Sequence, residues 1–70
     1  MNEVVKSDAL KQMMKDNIFV RIAVNSFDKK MKTADQMSEL CALYFAMGWI
    51  NEEEVTEIMA YVTEVSMQVA

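Results

Sequence analysis

The side chains able to do chemistry in this chain are few. The candidates are one cysteine, Cys41, and the acidic run Glu52-Glu53-Glu54. The 70 residues contain no histidine, so there is no imidazole to act as a general base or zinc ligand. A lone cysteine forms no intrachain disulfide, and Cys41 lies on an apolar helical stripe, where a thiol behaves as a small hydrophobe. The three glutamates lack the alternating oxygen ligands and the glycine of a calcium loop. Their position at a helix start, where carboxylates meet the positive end of the helix dipole, explains them without a metal. One glycine in the whole chain excludes a glycine-rich phosphate loop. Catalysis, cofactor and metal are therefore not expected, and what remains is binding.

Charge is sorted along the chain. Residues 1–32 hold all seven basic residues against four acids, a net +3. Residues 33–70 hold Asp35, Glu39, Glu52, Glu53, Glu54, Glu57 and Glu64 with no base, a net −7. Such asymmetry marks a charged interaction surface or two halves that attract each other. A +3 segment beside a −7 neighbour is a poor footprint for nucleic acid, which calls for a dense basic stripe. A basic partner protein suits the acidic half better.

Three segments have helical periodicity, and with no proline and one glycine helices are the default. Asn51 with Glu54 three residues later forms a capping box, and Val55, Ile58, Met59, Val62, Val65 and Val69 follow on one stripe. Glu53, Glu57 and Glu64 fall on the opposite side. Thr33 with Gln36 forms a second capping box, opening a helix through Met37, Leu40, Cys41, Tyr44 and Met47. Gly48 suits its left-handed C-cap. The stretch "CALYFAM" is apolar nearly all round, which predicts burial on every side. The short link Trp49-Ile50 predicts an antiparallel helix hairpin, with Ile50 stapled near Val55.

The first segment contains "NIFVRIAVNSF", residues 17 to 27. Alternation would allow a strand with Ile18, Val20, Ile22 and Val24 on one face. Helical spacing instead aligns Leu10, Met13, Met14, Val20, Val24, Phe27 and Met31, and no partner strand is in sight. The helix is preferred. It leaves Phe19 and Ile22 off the core stripe as a second apolar patch. Most of the eight methionines fall on core stripes and read as packing.

The expectation is an all-α, three-helix domain: a long N-terminal helix over 7–31, then a hairpin of helices over 34–47 and 52–69. The hydrophobic share of 53% exceeds the usual ~45–50%. A chain this small, without disulfide or metal, gains stability from regular packing or association. A homodimer or higher oligomer is therefore expected. The opening "MNEVVKSDALKQ" has no basic start followed by an apolar core, and no apolar run reaches the ~20 residues needed to span a bilayer. A cytoplasmic setting without membrane contact is expected.

The stretch "GWINEEEVTEIMAYV" resembles the Gly-x-Ile-x-Glu-Glu helix starts of short accessory proteins of bacterial phages and mobile elements. The resemblance implies a small modulator or inhibitor that docks on a larger host protein. The expected contacts are Phe19, Ile22 and Trp49, tryptophan being frequent at binding hot spots, with Glu53, Glu57 and Glu64 as an acidic face. The alternative is a structural subunit whose apolar surface is used only for self-assembly.

Overall fold

The computed structural model describes residues 4–68. Four helices follow in order: α1 (Asp8–Asp16), α2 (Ile18–Asp28), α3 (Ala34–Ala46) and α4 (Glu52–Gln68). No strand occurs among the described residues, so the apolar stretch from Ile18 is helical. The all-α expectation holds, but the three-helix count does not. The helix expected over 7–31 is broken at Asn17 and ends at Asp28.

Asn17 causes the break twice over. Its backbone is extended, with φ −135° and ψ 114°, and its Oδ1 accepts the Phe19 N–H at 2.9 Å as the N-cap of α2. Asparagine favours this local bond over the helix interior. Its Nδ2 also donates to the Trp49 carbonyl at 2.9 Å and to Glu54 Oε2 at 3.1 Å. An unbroken helix over 7–31 would run for about 37 Å at 1.5 Å per residue, beyond what α3 or α4 could cover. The break folds α1 back against α2 and α4.

The remaining ends follow capping rules. Ser7 caps α1, accepting the Leu10 N–H at 3.0 Å. Thr33 and Gln36 form the expected capping box of α3, with both bonds present. Asn51 and Glu54 do the same for α4: Asn51 N–H donates to Glu54 Oε1 and Glu54 N–H to Asn51 Oδ1, each at 2.8 Å.

Both α2 and α3 close with paired backbone bonds around a left-handed residue. After α3, Gly48 has φ +76°, its N–H reaches Phe45 O, and Trp49 N–H reaches Tyr44 O. The Trp49 and Tyr44 rings then meet at 5.5 Å, the apolar contact usual for this motif. After α2, Lys30 has φ 61°, with Lys30 N–H on Phe27 O and Met31 N–H on Ser26 O. A lysine there bears the steric cost that glycine avoids.

One core joins all four helices. Leu10, Val20, Ala23, Val24, Met37, Cys41, Ile50, Ile58 and Val62 are buried, with Met13, Met14, Phe19, Phe27, Leu40, Tyr44, Val55 and Met59 packed around them. Val65 is half-buried on the same stripe of α4, while Val69 lies outside the described residues. Met31, expected on the core stripe, is 71% exposed because the chain has already left α2. The larger correction concerns "CALYFAM". Cys41 is buried, but Leu43, Phe45 and Met47 are 54%, 49% and 55% exposed. Among the described residues only α2 and α4 pack against α3, so its outer side faces solvent.

Asn17→Ala should lower stability by about 2 kcal/mol, combining a lost cap with a buried Glu54 oxygen left short of a donor. Asn17→Asp keeps a cap acceptor but sets a second carboxylate against Glu54, so chemical denaturation should show at least an equal loss. A neutral Asn17→Asp would mean that the Glu54 contact carries no weight.

The two left-handed positions should respond in opposite directions. A Cβ at Gly48 meets nothing within 4 Å, so only the backbone conformation opposes it. Gly48→Val should cost more than about 1 kcal/mol, while Lys30→Gly should gain about 0.5–1 kcal/mol. Paired melting curves would show it.

Candidate protein-interaction face

The expected contact residues do not come together as one site. Phe19 is only half-exposed, because it stacks on Trp49 with ring centroids 4.7 Å apart and planes 12° apart. Its ring also meets Tyr44 edge-on, at 5.5 Å and 72°. The three rings tie the start of α2 to the end of α3 and the Gly48 turn, so most of Phe19 is used within the chain. Trp49 keeps 40% of its surface exposed, and Ile22 keeps 45%.

The acidic residues belong to another side. Glu57 is half-buried and accepts the Ser7 hydroxyl at 2.9 Å, which places this flank of α4 against the start of α1. Glu53 and Glu64 are exposed. Glu54 is the buried member of the run, at 9% exposure, with both carboxylate oxygens hydrogen-bonded. The three-glutamate run is thus divided between solvent and core. Among the described residues, no group of three or more His, Cys, Asp or Glu is placed to hold a metal ion.

Among the described residues, no ion pair joins the two oppositely charged halves. The one ion pair among the described residues, Lys6 to Asp28 at 2.8 Å, lies within the basic half. The halves are joined instead by Ser7 on Glu57, Asn17 on Glu54 and the Tyr61 hydroxyl on Asp28. Lys11, Lys15 and Arg21 line a shallow groove around Met14, between α1 and α2.

Large apolar side chains are exposed singly at Val5, Met31 and Met67, and more densely on α2 (Ile18, Ile22) and on α3 with the turn after it (Leu43, Phe45, Met47, Trp49). Ile18 and Ile22 are one helical turn apart, as are Leu43 and Met47. The opposite flank of α3 is assigned by its neighbours: Cys41, Ala42 and Phe45 line a groove of about 390 Å³ with Val55 and Met59 of α4. On a helical wheel Leu43 and Met47 fall on the other flank, the side of Tyr44 that faces α2. Phe19, between Ile18 and Ile22 in the helix, touches Tyr44 and Trp49. Ile18, Ile22, Leu43 and Met47, with Trp49 at one end, therefore form an apolar edge. Sequence reasoning found Ile22 and Trp49 but assigned Met47 to the core. The available signal was "CALYFAM" itself: a helix apolar all round in a 70-residue chain has more apolar surface than so few neighbours can cover.

A larger groove, about 770 Å³, opens at the opposite end of the bundle, lined by Phe27, Tyr61, Val65, Lys30 and Lys32 among others. Beside it Lys6 bonds Asp28 and sits 5.0 Å over the Tyr61 ring. The Asp28 hydrogen bond raises the Lys6 ammonium above its usual range. Burial, followed by the bond to Asp28, raises the Tyr61 phenol. Burial alone pushes the Cys41 thiol up, so it is protonated and unreactive at neutral pH.

Both raised groups hold their protons more tightly in the folded chain. Above about pH 10, where an unfolded Lys or Tyr begins to release its proton, the unfolded state loses protons first and stability falls. The melting temperature should therefore drop between about pH 9 and about pH 11. Asp28→Asn should flatten that slope, since Asp28 supports both shifts. An unchanged slope would place the pH dependence elsewhere.

No helix among the described residues is long and apolar enough to cross a membrane. The chain matches no protein-family model, no curated protein and no solved structure.

Proposed function

We propose that this chain is a non-enzymatic protein-interaction module of the cytosol, a small modulator or inhibitor that docks on a larger protein through the edge of Ile18, Ile22, Leu43, Met47 and Trp49. The observation that supports this reading is the exposure of these five large apolar side chains, against nine buried apolar residues among the described ones. Single exposed hydrophobics are ordinary, whereas a contiguous apolar patch on a small protein marks an interaction site. Trp49 stands at the end of this patch on a rigid aromatic stack, the arrangement of a hot-spot anchor. Glu53 and Glu64 lie on another flank, so an acidic contact with a basic partner would be a second surface rather than the rim of this one.

Ile22→Glu combined with Met47→Glu changes exposed positions and should leave the fold intact by circular dichroism. In affinity capture from cytosolic lysate, the protein retained by the wild-type chain should fall at least about tenfold with the double variant, the loss expected from a charge set in an apolar contact. Equal retention by both forms, or nothing retained above background by either, would overturn the reading.

A further inference from the structure

We infer that the groove at the end of the bundle away from Trp49 binds a small amphiphilic anion. Its apolar body lies against Phe27, Tyr61 and Val65, and its single carboxylate head meets Lys30 and Lys32. This site is separate from the apolar edge and does not depend on the reading of that edge.

The groove has the size of a ligand site. Its volume is about 770 Å³, within the ~300–1,000 Å³ of pockets that hold small molecules. Phe27 closes α2, while Tyr61 and Val65 stand one turn apart on α4. The Phe27 and Tyr61 rings meet edge-on at 6.1 Å and 80°, and all three side chains are half-buried. An apolar molecule laid against them removes both ring and aliphatic surface from water.

The rim decides the sign of the ligand. Among the described residues, three charged side chains line the groove: Asp28, Lys30 and Lys32. Asp28 is already satisfied, with Lys6 on Oδ2 at 2.8 Å and the Tyr61 hydroxyl on Oδ1. Lys30 and Lys32 form no ion pair among the described residues. Glu64, the acid next to Val65 in the chain, lines a different recess with Met59 and Met67. The groove therefore sets two uncompensated ammonium groups beside an apolar wall. Such a site repels a cation and attracts an anion. Lysines act as point charges without the planar fork of arginine, so a single carboxylate suits them better than a head that needs bidentate grip.

Lys30 adds an observation independent of volume and charge. With φ 61° it occupies a left-handed position that glycine would take without steric penalty. Its ammonium joins no ion pair that holds the fold. Strained residues of this kind cluster at ligand clamps. The lysine keeps a cation at the mouth of the groove at a cost in stability, and anion binding gives that cation its use.

Isothermal titration of the whole chain with submicellar dodecanoate near neutral pH should show one saturable site, with Kd on the order of 10–100 μM for a ligand of this size. Dodecyltrimethylammonium, with the same tail and the opposite charge, should bind at least about tenfold more weakly. Lys30→Gly combined with Lys32→Gln should weaken dodecanoate binding at least about tenfold. That variant should melt no lower than the wild-type chain, because glycine relieves the left-handed strain. Ile22→Glu combined with Met47→Glu alters only the apolar edge and should bind dodecanoate as the wild type does. No saturable binding up to about 1 mM dodecanoate would overturn the inference. So would equal affinity for the cationic probe, undiminished binding by the lysine variant, or loss of binding in the edge variant.

Discussion

The fold turns on the carboxylate of Glu54. One oxygen accepts the Asn51 N–H, closing the capping box at the start of α4, and the other accepts the Asn17 amide between α1 and α2. The same amide also bonds the Trp49 carbonyl in the turn before α4. One buried acid thus holds together the break in the first helical segment and the turn of the second. Without these donors a carboxylate at 9% exposure would be costly. With both oxygens satisfied, it fixes where α1 leaves α2 and how that corner meets the α3–α4 hairpin.

The exposed surface follows from that corner. Because the chain turns back at Asn17, α1 packs beside α2 and α4 rather than running on past them. The start of α2 is brought to the end of α3, where Phe19, Tyr44 and Trp49 stack. The stack stiffens the end of the bundle nearest Gly48 and anchors the apolar edge. The same arrangement leaves one flank of α3 without a covering helix, so Leu43 and Met47 are exposed. The edge is a product of topology: among the described residues four helices enclose a core of nine buried apolar residues, and α3 has more apolar surface than that core can use.

Charge acts at a different level. Among the described residues, no ion pair links the net −7 of residues 33–70 to the net +3 of residues 1–32. Neutral donors from Ser7, Asn17 and Tyr61 link the elements instead. Such bonds avoid the full desolvation of a paired cation and anion, which surface ion pairs rarely recover. The exposed charges act on solubility and on the long-range field around the chain rather than on its packing.

Local chemistry was legible in the sequence wherever the interacting groups lie within one helical turn. The capping boxes at Thr33–Gln36 and Asn51–Glu54, the left-handed stop at Gly48, the stripe of α4 and the burial of Cys41 all depend on short spacings. The candidate site was legible only in part: Phe19 and Ile22 were visible as apolar residues off the core stripe and Trp49 as a tryptophan in the turn, but the stacking of Phe19 on Trp49 was not. Tertiary structure alone decided the rest. Asn17 is 37 residues from Glu54 and 32 from Trp49 in the chain, so periodicity, which allows an unbroken helix there, contains no trace of the bonds that break it. For the same reason, which side of "CALYFAM" would be left exposed depended on how α2 and α4 pack against it, and those contacts join residues far apart in the chain.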